Sequence, residues 1–206
     1  MTNSLPYIFD CTKSPILGLI HVGIHKGQEM PQYRAWGINN VRAYEPQPEI
    51  FKHLYQHNRD GVVLVNKGCG NINGELEMNI ETENDGESCS VLAPKKYLLQ
   101  YPKHKFIDKI RIPIVRLDDD VPRPEMFDVL NIDVQGYELE VMKGAEKMLR
   151  KFIKVVITEV NFDELYEGCA LLPEMDAWLK TVGFMRFLTD RQGGTWGNAI
   201  YMKTTA

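Results

Sequence analysis

Ile16-Leu-Gly-Leu-Ile-His-Val-Gly-Ile-His-Lys-Gly27 is an apolar run that stops on glycine. Ile16 to Val22 has the look of a strand buried on both faces, as in a parallel sheet. Gly23 and Gly27 allow the tight turn that follows. Helical residues then run from Gln28 to about Trp36. Strand, glycine turn and helix make the first half of a βαβ unit.

The alternation continues outward. Val41 to Tyr44 predicts a second strand ending at Glu45-Pro46. Pro48 to His57 predicts a helix with proline at its start. Val62 to Val65 is a third strand, and Gly74 to Ile80 alternates as a half-exposed one. Glu81 to Phe106 has weak periodicity and reads as loop with short helical pieces, a length that is often functional. Ile110 to Val115 carries Pro113 and is expected at a sheet edge. Phe127 to Ile132 is another buried strand. Tyr137 to Leu149 predicts one continuous helix. Val155 to Thr158 ends on Glu159, and Pro173 to Thr181 predicts a helix capped by Gly183. Phe184 to Leu188 and Ala199 to Met202 form a terminal hairpin around Gly193, Gly194 and Gly197. The expected fold is an open α/β sheet with helices on both faces. Ligands bind such sheets at the carboxyl ends of the strands, where the strand order reverses. The residues there are His21 to Gly27, Glu45, Asn66 to Asn71 and Asp133 to Glu138.

The chain has 206 residues and a formal charge of −4. One domain over 1–206 is expected, with 1–15 as an N-terminal extension. The acidic balance argues against a nucleic-acid partner, which calls for a basic surplus. No apolar stretch is long enough for a membrane span, and no secretory leader is evident. Cys11, Cys69, Cys89 and Cys169 are scattered without a C-x-x-C pair, so they read as free thiols of a cytoplasmic protein. The methionines read as core fillers.

The charge is segregated. Residues 75–87 hold six carboxylates and no base, and residues 95–116 hold seven bases and one acid. Two solvated faces explain this simply. The functional alternative is that the basic stretch attracts an anionic substrate to a nearby cleft, with Tyr97, Tyr101, His104 and Phe106 offering ring faces to a sugar or nucleotide.

Glu45 follows Gly23 by 22 residues. A carboxylate about 20 residues beyond a glycine turn can accept hydrogen bonds from both ribose hydroxyls of an adenosine-type ligand. Asp133 follows a buried strand and faces the ligand crevice. Glu138 stands in the first helical turn beyond it, where the helix dipole favours it. Glu159 ends the next strand. Three such carboxylates suit a base, a hydroxyl contact or a divalent cation. His21 and His25 straddle a turn rather than one helical face, so no metal site is expected from them.

In order and spacing, His21-Val-Gly-Ile-His-Lys-Gly-Gln-Glu29, Tyr44-Glu-Pro46, Glu87-Ser-Cys-Ser-Val-Leu92, Arg116-Leu-Asp-Asp119, Asn131-Ile-Asp-Val-Gln-Gly-Tyr-Glu138, Lys143-Gly-Ala145 and Thr158-Glu159 resemble the FkbM-type methyltransferases. The resemblance runs from about Gly18 to Gly183. It implies a class I, Rossmann-like methyltransferase fold: a mostly parallel seven-stranded sheet with an antiparallel C-terminal hairpin. It implies S-adenosylmethionine as cofactor and O-methylation of a hydroxyl on a sugar, glycan or natural-product acceptor. His21, Gly23, His25, Gly27 and Gln28 would surround the methionine part, and Glu45 with Pro46 the ribose. Gly68, Cys69 and Asn71 would border the adenine. Asp133 would lie near the sulfonium and acceptor, and Glu138 and Glu159 would line the acceptor side. Histidine at 21 stands where many members carry an acid that meets the cofactor's amino group.

For hydroxyl methylation, Asp133 is the first candidate base, Glu138 the second and His104 a remote third. Residues 81–109 are expected to cover the acceptor. Two further readings compete: a nicotinamide-dependent oxidoreductase, and a non-catalytic module binding an adenosine ligand or glycan. The glycine loop departs from G-x-G-x-x-G, and no Tyr-x-x-x-Lys relay is evident, both of which weigh against the oxidoreductase.

Overall fold

The computed structural model describes residues 15–57, 61–192 and 194–204. Cys11, the 1–15 extension apart from its last residue, and Gly193 lie outside them. A seven-stranded sheet carries β1 (Leu19–Val22), β2 (Val41–Tyr44), β3 (Val62–Val65), β7 (Val129–Ile132), β8 (Val155–Asn161), β9 (Phe184–Gln192) and β10 (Trp196–Lys203). Its order is β3-β2-β1-β7-β8-β10-β9. The first five strands are parallel, and β10 runs antiparallel between β8 and β9. This is the class I methyltransferase arrangement.

Every residue of β1, β7 and β8 is buried. That is why the three read as mainly apolar runs, broken by His21 in β1, Asn131 in β7 and Thr158, Glu159 and Asn161 in β8. Helices cover both faces. On one side α1 (Met30–Ala35) and α2 (Pro48–His57) pack Met30, Tyr33 and Leu54 against Leu19, Val41 and Ile157. On the other, α5 (Glu138–Gly144), α6 (Glu146–Lys151) and α7 (Leu172–Thr181) pack Val141, Met142, Leu149 and Leu179 against Ile20, Leu130 and Val156. Burying an aliphatic side chain of this size stabilises by about 1.5–3 kcal/mol.

A second, three-stranded sheet sits beside the first, in the order β4-β6-β5: β4 (Gly68–Cys69), β5 (Gly74–Glu81) and β6 (Phe106–Val115). Pro113 therefore lies in the middle strand, not at an edge. β4 is only two residues long and pairs from Ile114 onward, so Pro113 precedes its short ladder and no bond is lost there. Between β5 and β6 the chain holds one short helix, α3 (Tyr97–Gln100). A further short helix, α4 (Leu117–Asp120), follows β6.

The continuous helix expected over 137–149 is broken at Ala145. Two contacts account for the break. Gly144 packs against the Gly70 carbonyl, where an added Cβ would stand at 1.9 Å. The fully buried Asp118 carboxylate accepts from Lys147 N (2.9 Å) and Met148 N (3.0 Å), capping the second segment from outside.

The opposite charge segments meet at two exposed pairs and otherwise find separate partners. β5 and β6 pair antiparallel, and Lys109 and Lys105 approach Glu77 and Glu83 at 3.9 and 3.6 Å. Lys95 and Lys96 bind Glu164 and Asp163, each at 2.6 Å.

Candidate functional site

Strand order reverses between β1 and β7, and the chain is tightest there. Gly23 has φ +82°, and a Cβ on it would lie 1.8 Å from the Asp133 carbonyl oxygen. The two loops after β1 and β7 thus touch backbone to backbone, as close as a glycine permits. Two cavities open above this contact. Gly23, His25, Glu87, Asp133 and Gln135 line both.

The narrower cavity has a carboxylate at one end and apolar walls. Glu45, Pro46, Gly68, Cys69, Met78, Ile112 and Ile114 line it. Glu45 is 3% exposed. Its Oε2 accepts from His25 N at 3.0 Å and its Oε1 from Gln47 N at 2.8 Å. Burial pushes the carboxyl up to about 7, against the pull of these amide bonds. Each oxygen has one lone pair so engaged and another left over.

The wider cavity encloses about 660 Å³. Gln28, Glu29, Glu87, Asp133 and Glu159 line it with Tyr97, Tyr101, His104 and Trp196. Asp133 and Glu159 share a donor: Gln135 Nε2 stands 2.8 Å from Asp133 Oδ1 and 3.2 Å from Glu159 Oε2. Gln135 reaches this position from a left-handed backbone, φ +56°. Its carbonyl accepts from Ser90 Oγ at 2.7 Å, and its Oε1 from Tyr166 Oη at 3.1 Å. Burial raises the pKa of Asp133, and burial with the neighbouring Asp133 and Glu138 charges raises that of Glu159 further.

The glycine loop is clasped to the loop before β6. Gln28 Nε2 donates to His25 Nδ1 (3.1 Å), so the proton assigned to His25 Nε2 donates to the Asp85 carbonyl (2.9 Å). Gln28 also donates to Glu87 Oε1 at 3.1 Å, and Lys26 pairs with Asp85.

Not every residue singled out from the sequence reaches a cavity. His21 is 1% exposed beneath the sheet end, where Tyr33 Oη stands 3.0 Å from Nδ1 and itself accepts from Asn131 Nδ2 at 2.8 Å. Burial pushes this imidazole down to about 4, so it is neutral. Glu138 Oε1 accepts from Val134 N (3.1 Å) and Gly136 N (3.0 Å), holding the β7–α5 turn from within. Its carboxyl is raised by burial, and it lines neither cavity. Gly27 and Asn71 also lie outside both linings.

The basic stretch departs from its functional reading. None of the seven bases of 95–116 lines either cavity, and carboxylates hold most of them elsewhere. Cys89 lines the narrower cavity, its Sγ accepting from Glu81 N at 3.2 Å. Cys69, Cys89 and Cys169 are free and buried. Among the described residues no group of three acids, histidines or cysteines is placed to hold a metal, and no helix is long and apolar enough to cross a membrane.

Sequence reasoning passed over Glu29, Gln135, Asp190 and Asn198. Gln135 had a signal, the Gln-Gly pair just beyond a strand-end aspartate. Asp190 and Asn198 had none, because alternating residues on a hairpin do not say which face meets a ligand.

This architecture matches known methyltransferases. A methyltransferase FkbM from Methylobacillus flagellatus KT superposes with a TM-score of 0.60 at 13% identity, over 90% of this chain and 43% of that one. Magnesium protoporphyrin IX methyltransferase (ChlM) of Synechocystis PCC 6803, with bound SAM, gives 0.54 at 10% identity, over 98% and 78%. In sequence, the 2-O-methyltransferase NoeI of Sinorhizobium fredii (strain NBRC 101917 / NGR234) is 29% identical over 136 residues, 61% of this chain and 55% of that protein. Methyltransferase 1 of Beauveria bassiana (strain ARSEF 2860) is 23% identical over 142 residues, 62% and 57%. The chain thus spans just over half the length of these curated relatives. The sequence model of the methyltransferase FkbM domain matches residues 21–185. The chain belongs to the FkbM methyltransferase domain family, a family of S-adenosylmethionine-dependent methyltransferases.

Proposed function

We propose that this chain moves a methyl group from S-adenosylmethionine to a hydroxyl of a sugar or related polyol, with Asp133 as the base. The observation that carries this reading is the position of Asp133, on the boundary of both cavities, with a carboxyl held above its ordinary range.

The residues present fit the cofactor. The spare lone pairs of Glu45 suit a ribose diol, and Cys69, Met78, Ile112 and Ile114 suit the faces of a purine. The Glu29 carboxylate lies on the glycine loop and lines the wider cavity, where an ammonium can meet an anion without any help from His21. Bound S-adenosylmethionine supplies an electrophilic methyl on a sulfonium.

The chain's own residues then align and deprotonate the acceptor. Alignment is expected to contribute more to the rate of such a displacement than any other effect. Asp133 takes the hydroxyl proton on Oδ2, while Gln135 holds Oδ1 in place. Tyr97, Tyr101 and Trp196 line the same cavity and offer ring faces to a sugar. Tyr97 and Tyr101 belong, with Asn84, Glu87, Ser88 and His104, to the wall that closes over an acceptor, which is the role proposed for 81–109, and Trp196 on β10 adds to it. A relative named as a 2-O-methyltransferase supports an oxygen acceptor. The family match leaves the nicotinamide reading without support. Placement in the cytoplasm and a single domain over 1–206 are parts of this proposal.

Calorimetric titration with S-adenosylhomocysteine, followed by methyl release against a sugar panel, tests it. Tight S-adenosylhomocysteine binding with acceptor-dependent methyl release is expected. Stabilisation by nicotinamide dinucleotide alone overturns it, and cofactor binding with no transfer to any hydroxyl favours the non-catalytic module.

A further inference from the structure

The turn that carries Asp133 is gripped by the chain that follows β8. Gly136, at φ +97°, has Tyr166 and Cys169 packed directly on it: a Cβ there would stand 3.2 Å and 3.0 Å from theirs. The Tyr166 side chain then runs alongside Gln135. It is fully buried, and its ring lies 5.3 Å from that of Tyr97. Its Oη stands 3.1 Å from Gln135 Oε1 and 3.1 Å from the Ser88 carbonyl oxygen. Both partners are acceptors, so the phenol donates. Burial pushes this phenol far above its ordinary range, so it keeps its proton at every working pH.

That proton bears on which way the Gln135 amide points. The main chain of Gln135 is fixed, since its carbonyl accepts from Ser90 Oγ at 2.7 Å. The last torsion of a glutamine has no strong preference of its own, and the two ends of the amide differ only in that one donates and the other accepts. With Nε2 inward, the amide donates to Asp133 Oδ1 at 2.8 Å and to Glu159 Oε2 at 3.2 Å. Turned over, it would set its oxygen against both carboxyls, which suits them only if one holds a proton.

Nothing else offsets that outcome. Among the described residues Gln135 is the one hydrogen-bond donor to either side chain. The charged groups of those residues that act on the pair are acids: Glu29 and Glu87 on Asp133, and Glu138 on Glu159. Burial and these acids all favour the protonated carboxyl, and the amide donor opposes them.

We propose that Tyr166 is a positioning residue for methyl transfer: its hydroxyl holds the Gln135 amide with the donor end on Asp133 and Glu159, and so keeps Asp133 ready to take the acceptor's proton. Tyr166 lines neither cavity, so it acts through Gln135 and not on a ligand. The inference rests on the reading of Asp133 as the base.

The test follows the Asp133 carboxyl carbon of the full chain by carbon-13 NMR as pH is raised from 4.5 to 9, its signal assigned by loss in Asp133→Asn. The neighbouring acids titrate with it, so the midpoint read at Asp133 is that of the group. In Tyr166→Phe this midpoint is expected to rise by about half a pH unit or more, because the freed amide can turn its oxygen inward. The rising limb of kcat should move with it. S-adenosylhomocysteine affinity should not change, which shows that the variant has folded. In a Gln135→Leu chain the midpoint should already be raised, and adding Tyr166→Phe should not raise it further. A midpoint that fails to rise in a Tyr166→Phe chain that binds S-adenosylhomocysteine overturns the inference, and so does an equal rise in the chain without Gln135. Should Tyr166→Phe not fold, 3-fluorotyrosine labelling of the parent keeps every hydroxyl and makes each a stronger donor; the midpoint should then fall, and no fall overturns the inference. A parent chain that does not bind S-adenosylhomocysteine removes the methyltransferase reading instead, while the titration still reports whether Tyr166 acts on Asp133.

Discussion

Gly23 and Asp133 meet across the switch point of the sheet, so closely that a methyl group on the first would occupy the carbonyl oxygen of the second. The contact joins the glycine loop to the loop of Asp133, the residue proposed as the base. Gly23→Ala adds a left-handed backbone penalty to a steric clash, together about 3 kcal/mol. Urea unfolding is expected to show this loss, and an unchanged midpoint would contradict the contact.

Asp133→Asn keeps the Gln135 contact by rotating its amide but cannot take a proton. Cofactor affinity should stay within about threefold, and kcat should fall by about 10²–10⁴. In the parent chain kcat should rise with pH along a limb above the ordinary carboxylate range, because burial holds this carboxyl up. Equal loss of binding and turnover in the variant would make Asp133 a binding residue only.

Gln135→Gly separates strain from function. Glycine adopts φ +56° without the side-chain penalty, which relieves about 1–2 kcal/mol. It also removes the donor that Asp133 and Glu159 share. The lost bonds to Asp133, Glu159 and Tyr166 offset that relief, so the melting temperature should change little or fall while kcat falls at least tenfold and the KM for S-adenosylmethionine does not move. A variant of full activity would remove Gln135 from the positioning role.

His21 gives a pH signature in stability. The unfolded chain protonates this ring near 6.5, and the fold only near 4. Stability owed to the neutral ring is therefore complete above 6.5 and is lost as pH falls through 4. The buried glutamates shift the other way and mask it in the parent chain alone, so the difference from a variant is the useful measure. Between pH 7 and 4 the stability gap between parent and His21→Asn should narrow by on the order of 3 kcal/mol. A gap independent of pH would show that the ring is not held neutral.

Much of this was legible in the sequence, for physical reasons. Strands buried on two faces are mostly apolar, so β1, β7 and the start of β8 announce themselves in spite of His21 and Asn131. Glycines at a strand end mark the switch point, and Glu45 and Asp133 follow from it. The rest depended on contacts between distant segments. Asp118 breaks a helix 30 residues away, and no periodicity within that helix could reveal it. Pro113 sits centrally because its neighbour β4 is two residues long. His21 and Glu138 look like site residues by position, but one is turned under the sheet and the other back onto its own turn. The segregated charges, read first as two solvated faces with a basic cleft as the alternative, lie largely exposed on two paired strands.

The order β8-β10-β9 has a consequence for how the molecule is made. β9 leaves the ribosome before β10, yet it borders β10 and not β8, so it has nowhere to dock until β10 emerges. By this order the strands beside Glu45 and Gly23 have their neighbours earlier in the chain than the β10 wall of the wider cavity does. A ribosome-bound chain halted before residue 196 would then hold the Gly23 and Glu45 side of the site without the β10 residues Trp196 and Asn198 that line the wider cavity.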